Sequence, residues 1–121
     1  MKIIIETIPF VEQRYPTAGD WYYDNDGVVL IKVTDMGNWF LNFLIAIHEL
    51  VEFALCKRRG ISPETVDKFD MAHLDLDDPG SHPFAPYKLE HFHATNIERL
   101  VSEQLGIDFE GYEDRIEEVC K

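Results

Sequence analysis

The pattern of apolar positions changes once along the chain, from short strand-like runs to longer segments with helical periodicity. Lys2–Ile8 is rich in isoleucine and stops at Pro9, which predicts a strand. Trp21–Tyr23 and Val28–Thr34 predict a hairpin, because Asp24–Gly27 between them contains an Asp-Gly pair that tolerates a tight turn. We therefore expect a small antiparallel sheet of about three strands near the N-terminus.

Three to four helices are expected after these strands. They are predicted at about Asn38–Arg59, Ser62–His73, Tyr87–Leu105 and Tyr112–Val119. Ser62 is a good N-cap for the second helix, and Gly60 is a good stop for the first. Strands followed by helices predict a single α+β domain over residues 1–121, with the antiparallel sheet packed on the helices.

The helix predicted at 38–59 is apolar on nearly all sides. Its broad apolar face consists of Trp39, Phe40, Phe43, Ile47, Leu50, Val51 and Ala54. A narrow stripe opposite this face carries His48, Glu49 and Glu52. We expect this helix to be the most buried element, with Phe43 and Leu50 in the core. The stripe is expected to face a cleft or another polar element, because buried charges need partners.

The spacing within the stripe points to a metal site. His48 and Glu52 are four residues apart and share one helix face, so an imidazole nitrogen and a carboxylate oxygen can reach one cation. The segment "HELVE" resembles the HExxH motif of the zincin metallopeptidases, with Glu52 in place of the second histidine. Strands followed by a helix that bears the motif are also similar to a minimal zincin in outline. That resemblance implies that Glu49 is the general base.

A second cluster lies on the third predicted helix, within "YKLEHFHATNIER". The preferred metal ligands are His48 and Glu52 with His91, and Glu98 is a fourth ligand or a partner of one of them. The alternative set uses Glu90 and His93, which are similar to the Glu-x-x-His element of carboxylate-bridged di-iron bundles. The apolar arc of this helix is predicted to consist of Leu89, Phe92, Ile97, Leu100, Val101 and Leu105.

Simpler interpretations remain open for these polar residues. His48 and Glu52 can pair with each other or with Arg59 on a solvated stripe. The acidic loop that contains Asp77 and Asp78 lacks the spacing of an EF-hand and is expected to be solvated.

Charge and cysteine content narrow the class of protein. The chain has 11 Lys and Arg residues against 23 Asp and Glu residues, a net charge of −12, which disfavours nucleic acid or an anionic membrane as a partner. The two cysteines imply no disulfide framework, and no signal peptide is recognised. The longest run without charge, Met36–Ile47, is too short for a bilayer, so we expect a cytoplasmic protein.

Most of the chain also resembles a group of small uncharacterised bacterial and phage proteins, through "QRYPTAGDW", "HELVEFALCKRRGI", "FDMAH" and "PYKLEHFHATNIERLV". The leading hypothesis is a zinc-binding protein that hydrolyses an amide or ester bond of a small molecule or peptide, although another divalent metal would also fit these ligands. A nonenzymatic, acidic, phage-type accessory or interaction protein is the alternative. A third hypothesis is a Mg²⁺-dependent nucleotide pyrophosphatase that uses Glu49 and Glu52, and the N-terminal strands argue against it.

Overall fold

The computed structural model describes all 121 residues and confirms the α+β class. The strands are β1 (Ile3–Ile8), β2 (Gly19–Tyr23) and β3 (Val29–Thr34), and the helices are α1 (Trp39–Arg58), α2 (Pro63–Ala72), α3 (Lys88–Gln104) and α4 (Phe109–Val119). The first three helices begin and end within one or two residues of the predicted bounds. The fourth begins three residues before the prediction, because Asp108 caps it by accepting a hydrogen bond from the backbone N–H of Gly111.

The sheet is mixed, and the predicted antiparallel pairing holds for the hairpin only. The strand order is β1-β3-β2, with β2 antiparallel to β3 as predicted for the hairpin, and β1 parallel to β3. Strands β1 and β2 follow each other along the chain and run in opposite directions. They do not pair with each other, because β3 lies between them in the sheet. Residues 9–18, the loop before β2, therefore cross the end of the sheet. This loop contacts α2 through Arg14 and Tyr15, and Gly19, the first residue of β2, lies against Glu49 of α1.

Side-chain caps fix the starts of the first two helices. Asn38 accepts hydrogen bonds from the backbone N–H groups of Phe40 and Leu41, at 2.9 and 3.3 Å. Ser62 accepts one from Thr65 at 3.2 Å, as its position as N-cap predicted. Gly60, with a φ of 71°, provides the left-handed turn that ends α1.

The orientation of α1 is the reverse of the predicted one. Its buried residues are Leu44, Ile45, Ala46, His48, Glu49, Glu52, Phe53 and Cys56. His48 and Glu52 are only 8% and 5% exposed, whereas Trp39 and Phe40 on the predicted core face are 68% and 51% exposed. The polar stripe faces inward because other elements supply partners for its charges. The helix is also not the most buried element, since eight of its 20 residues are buried against four of the six in β3.

The prediction that the apolar arc of α3 is buried is also wrong, because α3 turns polar residues toward α1. Leu89, Phe92, Ile97 and Leu100 are exposed. The buried positions are Glu90, Ala94, Glu98 and Ser102, on the side where α3 packs against α1.

One helix, α1, is long and apolar enough to span a membrane by length and composition, a criterion that the core helices of folded domains also meet.

The core lies between the sheet and the inward side of α1. Ile31, Val33 and Leu44 are almost fully buried there, and the rings of Trp21 and Phe53 pack edge to face at 5.6 Å. This packing connects β2 and β3 directly to the helix that carries the polar stripe.

We predict that Leu44→Ala lowers the free energy of unfolding by about 2–5 kcal/mol, because it leaves a cavity in a well-packed core. Phe40→Ala, on the exposed side of the same helix, is the matched control and is expected to change it by less than about 0.5 kcal/mol. Urea denaturation of both variants measures the difference. Equal effects at the two sites would contradict the observed orientation of α1.

Candidate metal centre

Three ligand-type atoms from α1 and α3 converge on one point. Nε2 of His48 lies 3.1 Å from Oε2 of Glu52 and 3.2 Å from Nδ1 of His91. Nδ1 of His91 lies 2.9 Å from the same oxygen of Glu52. These residues form a group that could hold a metal ion, and their predicted convergence is confirmed.

The helices explain how the three side chains meet. His48 and Glu52 are one turn apart on α1, so both project toward α3. His91 lies near the start of α3, where Gly80 of the preceding loop packs against its ring. A Cβ atom at Gly80 would overlap that ring, so only glycine fits there without movement. Glu52 is held in place by Trp21 of β2, which donates its indole N–H to Oε1 of Glu52 at 3.0 Å.

Each histidine directs one ring nitrogen to the centre and the other to a carboxylate. Nδ1 of His48 lies 2.8 Å from Oε1 of Glu98, and Nε2 of His91 lies 3.0 Å from Oδ1 of Asp78. Glu98 is itself held by the hydroxyl group of Tyr112. Such outer carboxylates fix the tautomer and the orientation of metal-binding imidazoles. Asp78 is solvated as expected, with its side chain 58% exposed, and it also belongs to this arrangement.

The positions of these atoms separate the two roles that the sequence allowed for Glu98. Its carboxylate contacts the outer nitrogen of His48 and is not among the atoms that converge. We predict that Glu98→Gln weakens zinc binding about 10–100-fold, as substitution of an orienting partner does, and leaves the stoichiometry at one ion. Competition with a zinc chelator measures the affinity. Complete loss of bound zinc would instead make Glu98 a direct ligand.

The donor set and its spacing fit a divalent transition metal. Two imidazoles and one carboxylate are the protein ligands of several catalytic zinc sites. With bonds of about 2.1 Å, tetrahedral ligands are about 3.4 Å apart and octahedral ligands about 3.0 Å apart. The observed 2.9–3.2 Å spacing therefore accommodates an ion after shifts of a few tenths of an ångström at most.

Electrostatics favour a charged centre even without an ion. Burial opposes ionisation of Glu52, but hydrogen bonds from His48 and His91 lower its pKa to about 2. Burial also disfavours protonated imidazole, yet the carboxylates of Asp78 and Glu52 raise the pKa of His91 to about 9. Glu52 and Glu98 raise the pKa of His48 in the same way. A metal must displace the protons between these atoms, so its binding strengthens as pH rises.

Glu49 is buried beside this centre and makes no hydrogen bond to another protein group. It is 9% exposed, and its carboxylate lies against Gly19, where a Cβ atom would come within 2.5 Å of Oε1. Burial raises its pKa well above the ordinary range, and the neighbouring charge of Glu52 adds to this effect. The carboxylate lines the cleft that opens next to the three converging atoms.

That cleft has a volume of about 710 Å³ and is bounded by β2 and the loop before it, by the loop before α3, and by all four helices. Nine carboxylic acids line it, and we call it the acidic cleft: Asp20, Glu49, Glu52, Asp70, Asp77, Asp78, Glu98, Glu113 and Glu117. Lys121 is the one lysine or arginine in the lining. The cleft gives solvent and small molecules a path to the candidate metal centre.

The alternative ligand set is not assembled. Glu90 is buried and accepts a hydrogen bond from Arg59 at 2.7 Å. His93 is half-buried, with its ring against Phe92, and neither residue belongs to the converging group. The structure thus does not show the paired Glu-x-x-His geometry of a di-iron bundle.

Asp70 in the acidic cleft has no signal in the sequence. It is buried on α2 and accepts hydrogen bonds from the hydroxyl groups of Tyr15, at 3.0 Å, and Tyr87. Burial raises its pKa to about 6, against an ordinary 3.8, and the two hydrogen bonds only partly offset this effect. Its partners come from separate segments, which local sequence patterns cannot connect.

The raised pKa of Asp70 predicts a pH dependence of stability in the metal-free protein. Below about pH 4 this carboxyl group is protonated in both the folded and unfolded states, so it does not destabilise the fold. As pH rises through about 6, the unfolded chain ionises more readily and stability is lost. Relative to Asp70→Asn, the parent's free energy of unfolding is expected to fall by about 2 kcal/mol between pH 4 and pH 7. Urea denaturation with a chelator present tests this, and a constant difference would contradict it.

Comparisons with known protein families, with curated proteins and with solved structures found no match to this chain. The resemblance to bacterial and phage proteins therefore stays a prediction, and functional inference depends on the geometry of the site.

Proposed function

We propose that this protein is a zinc-dependent hydrolase that acts on an amide or ester bond, with Glu49 as general base. The observation that carries the proposal is the convergence of His48 Nε2, Glu52 Oε2 and His91 Nδ1 beside an open cleft. Catalytic zinc sites typically have three protein ligands and leave one position for water or substrate. Water or substrate would reach a metal held by these residues from the acidic cleft.

His91 supplies the second imidazole that the HExxH-like motif of this chain lacks. Glu52 occupies the position of the second histidine, and His91 of α3 supplies the missing imidazole. The resulting set of two histidines and one glutamate has the same composition as the ligand set of thermolysin-type sites. The same donors also bind Fe²⁺ in other proteins, so the choice of zinc depends on the motif and on the adjacent Glu49.

Zinc bound there would supply Lewis acidity and lower the pKa of a coordinated water. Glu49 accepts a proton from the attacking water, whose oxygen forms a bond to the carbonyl carbon. The bond from that carbon to the leaving nitrogen or oxygen then breaks. Glu49 returns the proton to the leaving group, so that a carboxylic acid and an amine or alcohol are released. The carboxylate of Glu49 is free for this role because it forms no hydrogen bond within the protein, and the charge of a bound zinc would lower the pKa that burial raises.

The test begins with elemental analysis of protein purified without an affinity tag, followed by zinc titration of the chelator-treated protein. We expect one zinc per chain, and its loss in His91→Ala. The matched control is His93→Ala, which removes a histidine from the same helix outside the centre and should keep the ion. The zinc-loaded protein is then assayed against aminoacyl p-nitroanilides and p-nitrophenyl esters. A stable protein that binds no divalent metal would overturn the proposal.

A nonenzymatic interaction protein is the second candidate, supported by one observation. Large apolar side chains are exposed on the outward sides of α1 and α3, among them Trp39, Phe40, Phe92 and Leu100. Exposed apolar surface of this kind often marks a binding site for another macromolecule. A metal-free, fully stable protein would favour this candidate over the hydrolase.

A further inference from the structure

We propose that the acidic cleft selects substrates that carry a cationic group, an ammonium or guanidinium, on the same molecule as the bond to be hydrolysed. The proposal rests on the function proposed above, because it names the substrate class of that site. It places the cationic group against the wall formed by Glu113 and Glu117 of α4, and the bond to be hydrolysed near His48, Glu52 and His91.

Charge balance at the centre is the first support. A divalent ion compensates only two of the three carboxylates of Glu52, Asp78 and Glu98, which line the cleft together. The outer partners of the histidines therefore leave the loaded centre negative. Phosphate monoesters and other anions would enter against this field, whereas cations would be concentrated in it.

The wall formed by α4 is the second support. Glu113 and Glu117 are four residues apart, both line the cleft, and neither forms a salt bridge. Like charges at this spacing destabilise a helix unless another charge compensates them. The nearby arginine of α4, Arg115, pairs with Glu118 instead, at 3.1 Å. Arg99 of α3 acts on Glu113 from a greater distance and forms no salt bridge with it. A bound ammonium or guanidinium group would relieve the repulsion between the two carboxylates.

The unpartnered carboxylate of Glu49 independently indicates that a ligand enters the cleft. It is 9% exposed, forms no hydrogen bond within the protein and lies on the cleft surface beside Gly19. The one fully enclosed side-chain oxygen without a partner is Oε1 of Gln13, so the oxygens of Glu49 are reached from the cleft. A largely buried carboxyl group without a hydrogen-bond partner is rare, because its desolvation is unfavourable. Apolar side chains of Ile45, Phe109 and Ile116 line the same cleft and can contact the hydrocarbon part of a substrate.

The test compares three probes of similar size: butylammonium, butyramide and butyrate. Each is titrated into zinc-loaded and metal-free protein while the indole N–H signals are followed by NMR. Trp21 lines the cleft and reports binding there, whereas Trp39 is 68% exposed, lies outside the cleft lining and serves as an internal control. We expect butylammonium to shift the Trp21 signal at concentrations where the neutral and anionic probes do not. The shift is expected to weaken as salt concentration rises.

A pair of double variants locates the binding wall. Glu113→Gln with Glu117→Gln is expected to weaken butylammonium binding about tenfold, the loss of two exposed ion pairs. Glu110→Gln with Asp114→Asn removes the same charge from α4 outside the cleft lining, and should change the affinity less than twofold. Equal binding of the three probes, no shift of Trp21, or equal effects of the two double variants would overturn the proposal. Zinc content, measured on the same samples, tests the proposed metal centre independently of the proposed substrate class.

Discussion

His48→Ala is expected to abolish stoichiometric zinc binding. His48 supplies one of the three converging atoms, so its removal leaves only Glu52 and His91 at the centre. The loss of affinity should exceed the 10–100-fold effect that is typical of an orienting partner. Elemental analysis after dialysis and competition with a chelator measure the change. The control is His93→Ala, which lies outside the converging group and is expected to retain zinc at parental affinity.

The same substitution has a second consequence for stability. His48 lies between the carboxylates of Glu52 and Glu98, at 3.1 and 2.8 Å, and both are buried. Removing one partner of a buried charge pair typically costs about 3–5 kcal/mol, because the remaining charge is uncompensated. His91→Ala tests the same ligand set if His48→Ala fails to fold, since Trp21 still donates a hydrogen bond to Glu52. Parental zinc affinity in a folded His91→Ala protein would contradict the assignment of the centre.

The positions of helices and strands could be predicted because their signals are local. Asn38 and Ser62 cap helices that begin where the sequence indicated, and the Asp-Gly turn joins β2 to β3. The pairing of β1 with β3 could not be predicted, because it depends on which side of the hairpin the chain reaches after residue 9. Nothing in the strand sequence distinguishes the two edges.

The inward face of α1 shows a second limit of prediction from sequence. An apolar arc normally marks the buried side of a helix, and that assumption turned the face that contains Phe40 toward the core. Here the polar stripe is buried because Trp21 of β2 and two residues of α3, His91 and Glu98, supply partners for His48 and Glu52. Partners of this kind are brought together only by the fold. The sequence alone therefore cannot show that burying the stripe is favourable.

The candidate ligands could be predicted because their signals depend on helix geometry alone. The four-residue spacing of His48 and Glu52 requires only a helix, and His91 was one of few histidines on another long helix. Asp78 was missed because its role depends on a loop that closes over His91 through Gly80. Loop geometry of this kind has no periodic signal.

Glu49→Gln is expected to reduce hydrolysis by the zinc-loaded protein about 10²–10⁴-fold, the usual contribution of a general base. The substitution keeps the size of the side chain and removes the basic carboxylate. Because Glu49 contacts none of the three converging atoms through a hydrogen bond, zinc content should remain at one ion per chain. The thermal midpoint should stay close to that of the parent or rise, since a buried and unpartnered carboxylate is replaced by a neutral amide.

A conservative variant separates catalysis from structure at this position. Glu49→Asp keeps a carboxylate but moves it back by one methylene, so it should restore part of the activity that Glu49→Gln loses. Rates are measured with the panel compound that the parent hydrolyses, over a range of pH, and zinc content is checked in each sample. If Glu49→Gln unfolds the protein or releases zinc, the side chain has a structural role. If all three proteins hydrolyse the compound equally, another group takes the proton and Glu49 is not the base.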